Sequence, residues 1–302
     1  MMILPEKVTI IEVGPRDGLQ NENDFVPTEK KLDFIRELQK AGFQEMEITS
    51  FVSPKWVPQM ADSFHIATNC GSTNIRNFIL VPNKRGIDQL LQTNIKAVAI
   101  FVGVSDSFNK KNINRSLKES LQQLAKPVQE LKDSGFFVRV CISTAFYCPY
   151  EGKISEERVI DLCNQFVQLG VDELSIADTI GMASPLEAYS LFTKLKATFP
   201  EIFITAHFHD TRKMGLANIF ASLQAGVDRF DCSTGGLGGC PFAPGASGNV
   251  ATEDVVYMLG RLGIQTGINL NQLVKAIDVI QPHISRKIDS AYYQAYKKSL
   301  PV

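Results

Sequence analysis

The chain has only four histidines, and two of them stand one residue apart in Thr205-Ala206-His207-Phe208-His209-Asp210. Side chains alternate faces along a strand, so an extended 202–209 points His207 and His209 the same way. Two imidazoles on one face, two residues apart, form a compact pair of metal ligands. A pair of hydrogen-bonded core histidines at a strand end is the other reading, and the stretch by itself leaves both open. Reactive side chains fall in four more places. These are Gly14-Pro15-Arg16-Asp17-Gly18, the pair Glu47 and Thr49, expected on one face near the end of a strand, Asp178-Thr179-Ile180-Gly181, and a glycine-rich segment holding Cys240 and Asn249.

The elements that must position these residues are short. Apolar or β-branched runs alternate with amphipathic stretches along most of the chain. Candidate strands are Val8–Val13, Glu45–Ser50, Asn77–Val81, Ala97–Val102, Val138–Ser143, Glu173–Ala177, Ile202–His207 and Arg229–Cys232. Between them Leu117, Leu121, Leu124, Val128 and Leu131 recur at helical spacing, as do Val159, Cys163 and Phe166. Gly42, Gly135, Gly170 and Gly226 each stand shortly before a strand, where a helix stops. Eight such units over about 250 residues predict an α/β fold, the closed (β/α)8 TIM barrel. An open doubly wound sheet is the competing architecture, but no dinucleotide glycine fingerprint follows the first strand. From about residue 263 the pattern reads as two further helices split near Pro282. We therefore expect 1–302 to be a single barrel domain with a C-terminal helical extension.

Composition narrows the partners. Among 302 residues, 31 are basic and 32 acidic, so nothing calls for capture of nucleic acid or an anionic membrane. A content of 44% hydrophobic and 21% charged residues suits one large globular domain. No apolar run approaches the ~18 residues of a membrane span, and neither end reads as a secretory or lipidation signal. Cysteines 70, 141, 148, 163, 232 and 240 form no C-x-x-C pair, which suits reduced thiols in a cytoplasm.

In such a barrel the active site lies at the C-terminal ends of the strands, and that is where the reactive residues fall. Each has an ordinary explanation: Arg16 and Asp17 as a loop ion pair, Asp178 as a helix cap, Cys240 as an inert thiol. Glu47 is harder to dismiss, because an inward carboxylate without a partner is costly. Five loaded positions at strand ends outweigh the separate explanations. A carboxylate, two imidazoles and an amide oxygen, completed by waters or substrate oxygens, suit six-coordinate Mg²⁺ or Mn²⁺ better than a closed tetrahedral Zn²⁺ site. The segment from Gly235 to Asn249 is neither a Walker loop nor a dinucleotide fingerprint. A glycine-rich loop bearing a thiol at a barrel top reads as a flap closing on substrate.

Taken together these residues resemble the 3-hydroxy-3-methylglutaryl-CoA lyase family, metal-dependent barrels that make or break C–C bonds beside a thioester. The resemblance covers nearly the whole chain. It runs through Glu12–Glu22, Thr49–Met60, Lys111–Asn114, Cys148–Ile154, Asp178–Gly181 and the stretch from Gly236 to Asp254. Gly236-Leu237-Gly238-Gly239-Cys240-Pro241 is its most specific part. The resemblance implies Asp17, His207, His209 and Asn249 as metal ligands. It implies Arg16, Glu47, Asp178, His207 and Cys240 as catalytic residues. Arg16, Ser50, Ser175 and the Asn112–Asn114 segment would lie near an acyl-CoA substrate. A homodimer is what the family suggests. The chain departs from the pattern after Thr211, where Arg212-Lys213-Met214 stands in place of an aromatic residue and glycine. Ala177 and Gly235 also stand where glycine and alanine are frequent.

The chemistry expected is a retro-Claisen cleavage of 3-hydroxy-3-methylglutaryl-CoA to acetyl-CoA and acetoacetate. It requires the C3 hydroxyl to lose its proton while the thioester carbonyl accepts the electron pair as an enolate. Asp178, with His207 nearby, is the expected base. Arg16 would stabilise charge on the thioester oxygen. Cys240, working with Glu47, would protonate the enolate carbon. The alternatives are a lyase for another 3-hydroxyacyl-CoA such as citramalyl-CoA, a metal-dependent hydrolase, and a non-catalytic metal-stabilised scaffold.

Overall fold

The computed structural model describes residues 4–70, 74–239 and 248–299. Eight strands close into a barrel: Thr9–Glu12 (β1), Glu45–Ser50 (β2), Arg76–Leu80 (β3), Ala97–Gly103 (β4), Phe137–Ser143 (β5), Glu173–Asp178 (β6), Phe203–Phe208 (β7) and Arg229–Cys232 (β8). Every pairing is parallel between sequence neighbours, and β1 pairs with β8, Thr9 opposite Arg229, to complete the ring. The expected strands are all present, with ends displaced by single residues, because ladder hydrogen bonds rather than side-chain pattern set the ends.

Outward side chains such as Met46, Ile48, Val98, Val140, Leu174 and Ile204 are buried in the layer between strands and helices. Each contributes about 1.5–3 kcal/mol on leaving water. The inward side is divided. Ile11, Phe78, Leu80, Ala97 and Ala99 on β1, β3 and β4, with Val13 just beyond β1, form a separate apolar cluster. On β2, β5, β6 and β8 the buried residues include Glu45, Glu47, Arg139, Glu173, Arg229 and Asp231.

One expectation fails in β2. The register shifts between Glu47 and Thr49, so these two do not share a face. A bulge inserts one residue and reverses the alternation beyond it. The Thr49 hydroxyl instead donates to Ser63 at 2.8 Å, in the helix Ser63–Asn69.

Toward the C-terminus come helix Leu270–Ile280, a 3₁₀ turn Gln281–His283 at Pro282, then helix Ala291–Ser299. The first of these packs against helix Thr28–Ala41. That helix ends at Gly42, with φ 107°, and a Cβ there would lie 2.5 Å from the Gly267 carbonyl oxygen. Glycine is therefore needed both for the turn and for the close approach of the extension. Among the described residues no helix is long and apolar enough to cross a membrane.

Candidate active site

Directly after β1 the chain makes a π-helical turn, Gly14–Gly18, in which the amides of Arg16, Asp17 and Gly18 all point to the Val13 carbonyl. Single π turns recur at functional sites. This one delivers two adjacent side chains to the barrel mouth. The buried Arg16 guanidinium donates through Nε to Glu47 of β2 and lies 2.6 Å through Nη1 from Asp17 Oδ1. The charges of Glu47 and Asp17 outweigh the opposing effect of burial and hold Arg16 firmly protonated.

Asp17, His207 and His209 offer ligand atoms that all lie within 4.8 Å of one another. His207 is in β7. His209 lies one residue beyond it, where its backbone bridges to Asn249. The Asn249 amide nitrogen is 2.7 Å from Asp17 Oδ2, at the edge of the same cluster, and a carboxamide can present either its nitrogen or its oxygen there. Gly238 makes room for it, since a Cβ at that position would lie 2.6 Å from Asn249 Nδ2.

The electrostatics suit a cation. Burial, with His207 beside it, pushes His209 down to about 4, so its ring is neutral at neutral pH. Its buried Nδ1 has no hydrogen-bond partner. An imidazole nitrogen stranded away from water is costly unless something satisfies it. Burial would raise Asp17, but Arg16, His207 and His209 hold it below its ordinary range. Burial would lower His207, but its contact with Asp231 outweighs that and raises it. A carboxylate, two imidazoles and an adjacent amide therefore fit a divalent ion.

The other expected residues are placed less directly. Asp178 is fully buried at the end of β6, and its two carboxylate oxygens accept the backbone N–H groups of Met182 and Ala183 at 3.0 and 2.9 Å. It anchors the turn after β6 and is not one of the clustered ligands. Burial raises it to about 6 even so. Ser50 donates to the Leu80 carbonyl at 3.0 Å, and Ser175 donates to Asp231 at 2.8 Å. Asn112 and Asn114 are exposed at the end of helix Asp106–Ile113, which follows β4 and so belongs to the same mouth. Cys240, and with it most of the flap expected from the sequence, lies outside the described residues.

Two features escape a reading by motif. Asp231 lies 3.1 Å from His207 Nδ1 and also takes Arg139. Its charge partners hold it well below the usual carboxylate range against the effect of burial. The available signal was the charged residues inside strands buried on both faces, Arg139 and Asp231 among them, which must be paired. Arg286, from the C-terminal extension, donates to the carbonyls of Gly236 and Gly238. Asn249 takes Leu237 at 3.1 Å and Asn21 takes Gly239 at 3.1 Å. Four consecutive carbonyls ahead of Cys240 are thus held by side chains. The departure at Arg212 has a structural role too, since its guanidinium reaches the Ile180 and Gly181 carbonyls, each at 3.0 Å.

Comparison with known proteins agrees with this geometry. Residues 7–280 match the HMGL-like family model. The chain is 43% identical over 299 residues to a hydroxymethylglutaryl-CoA lyase of Bacillus subtilis, covering 99% of this chain and 100% of that one. It is 43% identical over 296 residues to the human mitochondrial hydroxymethylglutaryl-CoA lyase, covering 98% and 91%. The crystal structure of the Bacillus subtilis HMG-CoA lyase superposes with a TM-score of 0.95 at 43% identity, covering 98% of this chain and all of that one. An Acinetobacter baumannii HMG-CoA lyase solved with coenzyme A and 3-methylmalate superposes over both full chains with a TM-score of 0.92 at 34% identity.

Proposed function

The chain belongs to the HMGL-like family of hydroxymethylglutaryl-CoA lyases, and from that premise we propose that it cleaves 3-hydroxy-3-methylglutaryl-CoA to acetyl-CoA and acetoacetate. The observation that carries this reading is the convergence of Asp17, His207 and His209 at the C-terminal mouth of the barrel, beside the Arg16–Glu47 ion pair.

A divalent ion belongs with the family, and Mg²⁺ or Mn²⁺ is our choice for a donor set of one carboxylate, two imidazoles and an amide. Asp17, His207 and His209 would hold it, with Asn249 as the fourth ligand. Such an ion polarises substrate oxygens and lowers the pKa of a bound hydroxyl. Arg16 is fixed by Glu47 where its charge can stabilise the thioester oxygen as the enolate forms. Asp178 takes the C3 hydroxyl proton. Its raised pKa, about 6, lies close to neutrality, which suits a general base. Cys240, working with Glu47, returns a proton to the enolate carbon. Ser50, Ser175, Asn112 and Asn114 serve the acyl-CoA, the asparagines at the rim and the serines within the wall. Arg212 ties the turn after β7 to the turn after β6 through the Ile180 and Gly181 carbonyls.

We take residues 1–302 as one catalytic domain, acting as a homodimer in the cytoplasm. The five described cysteines are all free thiols, which supports a reducing compartment. The deciding experiment is incubation of the protein with Mg²⁺ and a panel of 3-hydroxyacyl-CoA thioesters. Acetoacetate from the hydroxymethylglutaryl thioester is expected. Faster turnover of citramalyl-CoA would reassign the substrate, and release of free CoA without C–C cleavage would make the protein a hydrolase.

A further inference from the structure

Behind His207 the barrel interior carries an alternating ladder of charge. Asp231 Oδ2 accepts from Arg139 Nη2. Arg139 Nε is 3.5 Å from Glu173 Oε1, and the other oxygen of Glu173 is 3.1 Å from Arg229. Arg229 is 2.6 Å from Glu45, which is 2.8 Å from Arg76. A buried ion pair is no more stabilising than well-packed apolar side chains of the same volume. The apolar filling supplied by β1, β3 and β4 shows that this barrel can use such side chains. The ladder therefore calls for another reason, and its site-proximal end supplies one.

One oxygen of Asp231, Oδ2, receives three groups: Arg139, the Ser175 hydroxyl at 2.8 Å and His207 Nδ1 at 3.1 Å. A carboxylate only accepts, so a hydrogen bond to Nδ1 requires the proton to sit on Nδ1. In the neutral ring the second nitrogen, Nε2, is then left bare, with its lone pair free to bind a cation. Asp231 and His207 are register partners across β8 and β7, so backbone pairing sets their separation. We propose that Asp231 is a positioning residue that fixes His207 as its Nδ1–H tautomer with Nε2 toward the ion, and that Arg139 holds Asp231 in place. The proposal rests on Asp17, His207 and His209 being the ion's ligands.

The test uses the full-length protein freed of metal by chelation. Nitrogen-15 NMR of the imidazoles reads the tautomer, assigned by single histidine-to-asparagine variants of the four histidines. Wild-type His207 is expected as Nδ1–H, and in Asp231→Asn, whose amide can donate to Nδ1, it should become Nε2–H. Mn²⁺ titration followed by the EPR signal of the free ion should show Kd raised about 10- to 100-fold in Asp231→Asn. If Asp231→Asn fails to fold because buried Arg139 loses its nearest carboxylate, the double variant R139M/D231N removes both charges and carries the same expectation. A wild-type His207 in the Nε2–H form, or a variant with wild-type Mn²⁺ affinity, overturns the proposal. Absence of Mn²⁺ binding in the wild type would sink the ligand reading instead, and the tautomer measurement decides the role of Asp231 separately.

Discussion

Arg16 and Glu47 meet as a buried ion pair where the loop after β1 passes β2, with the guanidinium Nε donating to Glu47 and Nη1 left to Asp17. One cation thus touches both a candidate ion ligand and a candidate catalytic carboxylate.

If that cation stabilises enolate charge in the transition state, Arg16→Gln should lower kcat by roughly 10²-fold or more while KM moves little. Steady-state kinetics at saturating thioester checks this. An unchanged kcat would return Arg16 to a purely structural role.

Removal of divalent ions should abolish turnover, and adding back Mg²⁺ or Mn²⁺ should restore it. An ion bound only by the folded state, present at a hundred times its Kd, stabilises by about 2.7 kcal/mol, which thermal unfolding would register as a higher Tm. Asp17→Asn should lose that increment. Full activity after exhaustive chelation, with an empty site by metal analysis, would refute the metal dependence.

The carboxyl of Asp178, raised to about 6 by burial, gives a pH dependence of definite sign. A base works when ionised, so kcat/KM should fall as pH drops through about 6 and level off above it. In Asp178→Asn that acidic limb should vanish along with most of the rate, typically a 10²–10⁴-fold loss. A variant that keeps both rate and limb would show that Asp178 only anchors the turn to Met182 and Ala183.

Arg286 clamps the carbonyls of Gly236 and Gly238, just ahead of the segment bearing Cys240. Arg286→Met removes both donors, and since small misplacements near a reacting centre cost up to about 10²-fold, kcat should fall by roughly 10-fold or more. Arg286→Lys, which keeps the charge but not the two-pronged fork, should recover only part of it. Wild-type turnover in Arg286→Met would show the clamp to be dispensable.

Lys213 adopts φ 57°, in the left-handed region where glycine is at home. Its 3.4 Å pair with Asp210 is long and exposed at the lysine end, and contributes little. Lys213→Gly should therefore raise stability by about 0.5–1 kcal/mol in urea unfolding, the relieved strain exceeding the added entropy of the unfolded chain. A loss of stability would mean that the ion pair outweighs the strain.

Much of this was legible in the residues alone. Apolar runs of strand length alternating with helical periodicity determined the barrel, because each pattern records which face of a local element must leave water. The spacing of His207 and His209 likewise brought both imidazoles to one place, since a strand repeats every two residues. Local pattern could not foresee the bulge that sends Thr49 to Ser63, because a single inserted residue leaves composition unchanged while reversing every face beyond it. Nor could it pair residues brought together only by closure of the ring. Asn249 reaches Asp17 across 232 residues, and Asp231 meets His207 only because β8 lies beside β7 in that register. Sequence periodicity carries the direction of a side chain relative to its own backbone. The partner waiting in that direction is set by strand order and register, and those exist only once the barrel has closed.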